Sequence, residues 1–202
     1  MADLPMAEQV HLCVEAGCGG TSWGLQLARE ALARGAHVCW VCSEIPDGAR
    51  FGQLFAEVSP AAVSRMHIAA VGENLTQGAL SAVGLIESLG NLGLVVLDDW
   101  APHAGQVPKA SVDAVLRVAE SARSAEVPLL IISAAFEDAD PTSTPDGCPE
   151  GWRGRKMSAL GDAGFAHWFL LRHSKGIARR VLHQGDVVLD FTLEESGFTH
   201  SS

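Results

Sequence analysis

A glycine-rich turn between an apolar run and a helical pattern constrains the fold of this chain more than any other feature. The apolar run covers residues 10–14, the turn contains Gly17, Gly19 and Gly20, and the helical pattern covers residues 22–34. Such a turn aims several backbone N–H groups and the positive end of the helix dipole at one point, which suits a phosphate group. The unit therefore predicts a phosphate-binding loop between a strand and a helix.

One motif that competes for this turn is the P-loop, G-x-x-x-x-G-K-[ST]. When Gly19 and Thr21 are placed on its last glycine and its hydroxyl residue, Val14 falls on the first glycine and Gly20 on the lysine. Backbone amides can still hold a diphosphate without the lysine. Hydrolysis should nevertheless be badly weakened, because no side chain at this position neutralises the phosphate charge in the transition state.

The second motif is the dinucleotide fingerprint, G-x-G-x-x-G, with an acid about twenty positions further on. Gly17 and Gly19 fit this motif, Ser22 takes the place of its third glycine, and Glu44 stands where an acid would bind the ribose. A plain tight turn without a ligand is the third interpretation. The turn alone leaves all three open.

Strands and helices alternate along the first two thirds of the chain. The patterns predict strands at residues 10–14, 37–42, 65–70, 92–97 and 129–133, and helices at residues 22–34, 50–58, 76–89 and 108–124. Continuous apolar strands that alternate with helices are typical of an α/β fold, with a mostly parallel sheet flanked by helices. A length of 202 residues suits one domain, and we expect its core to span residues 9–135.

The pattern changes after residue 135. Residues 136–160 are rich in Asp, Pro, Thr, Ser and Gly and predict a long loop, which in a compact domain is usually functional or disordered. Apolar runs at 166–172, 177–183 and 187–193 then predict three strands joined by tight turns. We therefore expect a C-terminal antiparallel β extension, or tail, over residues 165–194.

Acidic residues follow two of the predicted strands. Asp98 comes directly after the apolar run LGLVVL, where a P-loop enzyme places the acid that holds Mg²⁺ beside the phosphates. Thr21 would supply a hydroxyl to the same ion, and a loop or helix-capping role for Asp98 is the alternative. Glu44 follows the second strand and is open to three roles, a general base, a ribose ligand or a surface residue. The candidate catalytic residues are therefore Glu44 and Asp98.

Basic residues are concentrated in one window, although the chain has a net charge of −10. Residues 151–183 hold seven of the 14 Lys and Arg residues and a single acid. Within the long loop an aromatic ring stands beside three cations, namely Trp152, Arg153, Arg155 and Lys156. Together they offer base stacking and phosphate contacts to single-stranded nucleic acid, and a solvated loop is the alternative. The same loop carries five opposing acids, Glu137, Asp138, Asp140, Asp146 and Glu150.

Four further basic residues flank a predicted turn in the tail, namely Arg172, Lys175, Arg179 and Arg180. They either line one edge of the sheet for a ligand or keep that edge from aggregating.

Few features of the sequence indicate a cellular compartment. The N-terminus MADLPMAEQ has neither a basic stretch nor an apolar core typical of a secretory signal, and no apolar run is long enough to cross a membrane. The odd number of cysteines, five, fits reduced core residues. Cys39 and Cys42 lie three positions apart on a predicted strand and should face opposite sides, so we expect no metal or redox pair. These features predict a cytoplasmic protein without membrane contact.

Several stretches, taken in order, resemble the RecA-type recombinase superfamily, nearest to its RadB-like proteins. GCGGTSWGLQLAREALARGAHVCWVCSE is similar to the family's phosphate loop, the helix after it and the acidic end of the second strand. LGLVVLDD is similar to its Walker B strand, VPLLIIS to the strand before its second DNA-binding loop, and the tail to its closing strands. The resemblance covers nearly all of the chain and is carried by order and spacing.

The resemblance implies a RecA-like P-loop NTPase fold that binds ATP or ADP with Mg²⁺. The nucleotide-binding residues would be Gly17, Cys18, Gly19, Gly20, Thr21 and Ser22. Thr21 and Asp98 would hold the metal, Glu44 would be the catalytic glutamate, and the long loop would be the second DNA-binding loop. The chain departs from the family at Gly20, at Val14, and at Ala134, where a polar sensor residue is usual.

Lost phosphate-binding and sensing groups within a preserved fold indicate a non-catalytic relative. We expect a weakly nucleotide-binding accessory protein in recombinational DNA repair, acting through another RecA-fold protein or a second copy of itself and through single-stranded DNA or RNA. One alternative is a RecA-like scaffold of another assembly, such as the Elongator complex of tRNA modification. The other is a Rossmann-type NAD-dependent oxidoreductase that uses Gly17, Gly19 and Glu44.

Overall fold

A computed structural model of the protein describes residues 4–137 and 148–201. Its strands are β1 (Gln9–Val14), β2 (His37–Cys42), β3 (Met66–Ala70), β4 (Leu92–Asp98), β5 (Leu129–Ala134), β6 (Phe136–Glu137), β7 (Trp152–Arg153), β8 (Ala166–Arg172), β9 (Arg179–Gln184), β10 (Val187–Glu194) and β11 (Gly197–His200). Its helices are α1 (Gly20–Ala33), α2 (Gly48–Phe55), α3 (Pro60–Val63), α4 (Leu75–Ser88), α5 (Lys109–Ser124) and α6 (Met157–Asp162).

A nine-stranded sheet organises these elements, in the order β11-β10-β9-β8-β1-β5-β4-β2-β3. All pairs from β8 to β3 are parallel, and β8 to β11 continue the sheet as antiparallel neighbours. The predicted parallel core and antiparallel extension are therefore both confirmed. The extension is part of the same sheet because β8 pairs with β1.

Several short elements lie where the sequence predicted none, namely the strands β6, β7 and β11 and the helices α3 and α6. β11 is four residues long, follows a tight turn at Glu195 and Ser196, and begins at Gly197, whose φ is +117°. β6 and β7 pair antiparallel within the predicted long loop. Strands this short carry too few side chains to show a period, so only pairing with a neighbour defines them. Residues 138–147 of the loop, with three of its five acids, lie outside the described residues.

The sheet separates two apolar layers. α1, α2 and α3 pack on one face around Trp23, Leu25 and Trp40, and α4 and α5 pack on the other around Val95 and Ile131. Alternation along β2 places Cys42 in the first layer and Cys39 in the second, as predicted, and all five cysteines are free thiols.

The position of α1 on the sheet depends on two close contacts. A Cβ atom on Gly24 would lie 2.8 Å from the Trp40 ring, so only glycine lets the helix approach β2 this closely. On its outer side Trp23 makes edge-to-face contacts with Phe191 and Phe198 of the tail, at centroid distances of 5.2 and 5.0 Å. The start of α1 is thereby fixed between the central strands and the tail.

Candidate phosphate-loop site

The predicted phosphate loop connects the end of β1 to the start of α1. Gly17 and Gly19 have φ values of +76° and +93°, a conformation that favours glycine. Gly19 caps α1, and no side chain bonds the first turn of the helix at this cap. The first N–H groups of an α-helix have no partner within the helix, so this end retains backbone donors for an anion.

Two arginines of the tail donate hydrogen bonds to carbonyl groups of the loop. Arg180 is buried, and its Nε and Nη2 atoms donate hydrogen bonds to the carbonyl oxygens of Cys18 (3.2 Å) and Gly17 (3.3 Å). Arg172 donates from Nη2 to the carbonyl oxygen of Ala16 at 3.2 Å. The carbonyl groups of the loop are thus turned towards the tail.

This anchoring role was not predicted, since Arg172 and Arg180 were grouped as sheet-edge charges. One signal was available in the sequence, because Arg180 shares its face of β9 with the buried Leu182. Period-two alternation therefore placed this arginine inside the fold.

Neighbouring side chains fill the space beside Gly20, the position aligned with the P-loop lysine. A Cβ atom on Gly20 would lie 2.8 Å from Cγ2 of Val14 and 3.0 Å from Cγ2 of Ile132. Both neighbours are β-branched residues with restricted rotamers, so neither moves away easily. The valine at the first P-loop position thus packs where a larger residue at position 20 would begin.

Thr21 and Asp98 meet, as the predicted Mg²⁺ site requires. The Thr21 hydroxyl donates a hydrogen bond to Oδ2 of Asp98 at 3.0 Å. Burial and, to a smaller extent, the nearby Asp99 carboxylate raise the pKa of Asp98 to about 6, although the hydrogen bond from Thr21 partly opposes this rise. Both residues line a cavity of about 280 Å³ with Gly17, Gly19 and Gly20.

The donor chemistry fits Mg²⁺ in part. A carboxylate and a hydroxyl are oxygen ligands of the kind that Mg²⁺ accepts when substrate phosphates and water complete its shell. Across residues 4–137 and 148–201, no three His, Cys, Asp or Glu side chains gather into a site able to hold a metal ion by themselves. Metal binding here would therefore depend on the phosphates of a nucleotide.

Glu44 lies just beyond the end of β2, the strand that pairs with β4. Cys42 is opposite Asp98 in the register of the two strands, and Glu44 is exposed two residues further on. With Thr21 and Asp98 it lines a cleft of about 550 Å³ that adjoins the loop. Arg50 of α2 also lines this cleft, and its Nε donates to the Ser22 hydroxyl at 2.9 Å.

The predicted nucleic-acid residues lie on one segment but in different environments. Trp152 is half-buried and packs on a small cluster that contains Phe169. The Arg155 guanidinium lies 5.1 Å from the centre of the Phe136 ring and donates to the carbonyl oxygens of Gly105 (2.9 Å) and His103. Arg153 is half-buried in β7, and Lys156 is exposed.

The strand order bears on the dinucleotide-binding alternative. In the Rossmann order 3-2-1-4-5-6, the second strand lies beside the first. Here β5 and β4 separate β2 from β1. The fold therefore removes the structural basis on which Gly17, Gly19 and Glu44 would bind NAD.

Comparison with known proteins identifies the fold. A crystal structure of the RadB recombinase matches with a TM-score of 0.69 and 19% identity, over 98% of this chain and 93% of that one. A DnaB-like replicative helicase, described with its primase interactions, matches with a TM-score of 0.65 and 12% identity, over 96% of this chain but 57% of the helicase. No family model and no curated protein sequence matches. The chain thus has the RecA-like fold, as its resemblance to RadB-like proteins implied.

One further observation concerns membranes. Over the described part of the chain, no helix has the length and apolar character that crossing a bilayer would require.

Proposed function

We propose that this RecA-fold protein is an accessory factor of recombinational DNA repair that binds nucleotide weakly and does not hydrolyse it efficiently. The observation that carries the proposal is the crowding at Gly20, where Val14 and Ile132 leave no room for a lysine. The cavity keeps the other parts of a P-loop site, namely the amides at the start of α1 and the pair formed by Thr21 and Asp98.

These groups differ in what they contribute. Backbone amides and a metal-binding pair of side chains stabilise bound phosphate groups. Transfer of a phosphoryl group also needs a positive charge at the position where negative charge develops in the transition state. The cleft beside the loop is lined by four carboxylates, Glu44, Asp47, Asp98 and Asp99. Arg50 also lines it, but its guanidinium already donates hydrogen bonds to the Ser22 hydroxyl and to the carbonyl oxygens of Glu194 and Glu195. We infer weak binding of Mg-ATP or Mg-ADP. Glu44 would then be a general base without an activated phosphate group for its water molecule to attack.

Steady-state ATP hydrolysis tests this proposal. We expect the turnover of the wild-type protein to be at background with and without Mg²⁺. A Mg²⁺-dependent rate on the order of 1 s⁻¹, lost in Asp98→Ala, would contradict it, because such a rate is ordinary enzyme turnover. The double variant Val14→Gly/Gly20→Lys is the matched gain-of-function control, since it restores the motif and also removes Val14, the nearer of the two obstructing side chains.

Repair is favoured over other RecA-fold roles by the extent of the likeness. The chain spans 93% of the RadB recombinase but little more than half of the helicase. We propose that it works in the cytoplasm through another RecA-fold protein or a second copy of itself. Light scattering and co-purification from native extract test this, and a monomer at high concentration without a RecA-fold partner would refute it. Recovery with tRNA-modifying proteins would support the scaffold alternative.

A further inference from the structure

A series of buried and partly buried hydrogen bonds crosses the sheet beneath the phosphate loop. His11 of β1 is fully buried, and its Nε2 lies 2.8 Å from the hydroxyl of Ser133 on β5. Its Nδ1 lies 3.2 Å from Nδ1 of His167 on β8. Nε2 of His167 in turn lies 2.9 Å from the carbonyl oxygen of Met157, the first residue of α6.

The chemistry of these atoms fixes the position of every proton. Burial lowers the pKa of His11 to about 3 and lowers the pKa of His167, so both rings are neutral near pH 7. A carbonyl oxygen only accepts, so His167 carries its proton on Nε2 and accepts at Nδ1. His11 must then donate from Nδ1 and accept at Nε2, where the Ser133 hydroxyl donates. The Cys13 thiol nearby, 3.6 Å from His11 Nε2, stays neutral because burial raises its pKa.

The two ends of this series of hydrogen bonds lie in different candidate functional regions. Ser133 is among the residues that line the cavity of the phosphate loop. Met157 follows directly after the candidate nucleic-acid segment, and the Gly154 backbone N–H of that segment contacts the Met157 sulfur at 3.1 Å. The hydrogen bonds therefore join two regions that are more than twenty residues apart in sequence.

We propose that Ser133, His11 and His167 form a directional hydrogen-bond relay that couples the lining of the phosphate-loop cavity to the start of α6. If the Ser133 donor is withdrawn, the Nε2 lone pair of His11 is left buried without a hydrogen-bond donor, and this end of the ring is no longer held in place. A His11 ring that shifts towards another donor weakens its Nδ1 hydrogen bond to His167. His167 is then held less firmly, and so is its contact with the Met157 carbonyl group at the start of α6. A change at one end is in this way transmitted to the other.

The first test needs no variant and no nucleotide. In ¹⁵N-histidine NMR spectra near pH 7, we expect opposite tautomers, with His11 protonated on Nδ1 and His167 on Nε2. The same tautomer on both rings, or a charged ring, would overturn the relay. Because no nucleotide is added, this result is independent of whether the protein binds or hydrolyses ATP.

The second test asks whether the coupling reaches α6. In Ser133→Ala we expect faster amide hydrogen exchange at residues 154–160, by roughly tenfold, the equilibrium equivalent of one lost buried hydrogen bond. Ser22→Ala is the matched control, since Ser22 lines the same cavity but bonds to Arg50 outside the relay. Faster exchange confined to β5, or equal exchange in the two variants, would overturn the proposal.

Discussion

The contact between Gly20 and Val14 gives the most direct quantitative prediction. Gly20→Ala places a methyl group 2.8 Å from Cγ2 of Val14 and 3.0 Å from Cγ2 of Ile132. Overpacking of this kind costs about 1–3 kcal/mol, and the gain in helix propensity returns at most about 1 kcal/mol. We therefore expect Gly20→Ala to lower the free energy of unfolding by about 1 kcal/mol.

The coupling energy between positions 14 and 20 can be estimated by also substituting Val14. Val14→Ala removes two buried carbon groups and leaves a cavity, at a cost of about 2 kcal/mol. In the double variant the methyl group of Ala at position 20 occupies the space that Val14 has left. The strain and part of the cavity then disappear together, so the double variant should be more stable than additivity predicts by about 1–2 kcal/mol.

Urea unfolding of the wild type, the two single variants and the double variant measures this coupling. The fluorescence of the buried Trp23 and Trp40 monitors the unfolding. Gly84→Ala is the matched control, because Gly84 lies within α4 and a Cβ atom there meets nothing within 4 Å. That variant should be stabilised by up to about 1 kcal/mol. If Gly20→Ala were stabilised equally, or the two changes were additive within about 0.5 kcal/mol, the explanation for the missing lysine would be refuted.

Two further predictions concern charge. Because the pKa of Asp98 is raised to about 6 in the fold, its protonated form is favoured there, so the stability it contributes is present below pH 3.8 and lost as the pH rises through 6. Asp98→Asn should therefore stabilise the protein by about 3 kcal/mol at pH 8, and by less at pH 5, as measured by urea unfolding with a chelator present. An equal effect at both pH values would contradict the raised pKa. Binding of single-stranded DNA or RNA should be weak, with a slope of log K against log salt of roughly −2, and should be reduced when Arg153, Arg155 and Lys156 become alanine. Equal affinity of the two proteins in the salt titration would remove this segment from nucleic-acid binding.

The sequence by itself determined the kind and order of most elements. The predicted bounds of β2 and β8 agree with the structure to the residue, and those of α1 and α5 differ by two positions or fewer. Such predictions succeed because periodicity, glycine turns and apolar runs are properties of neighbouring residues. Thr21 and Asp98 were named together only as ligands of a predicted Mg²⁺ ion, and the structure shows that their side chains share a hydrogen bond.

Only the tertiary structure decided how distant residues meet. It placed β1 between β5 and β8, brought Arg180 to the carbonyl groups of the loop, and packed Ile132 against Gly20. It also aligned His11 with His167, 156 positions away in the chain. No local pattern encodes such contacts, because they depend on which strands become neighbours, and that choice is made by the packing of the whole sheet against its helices.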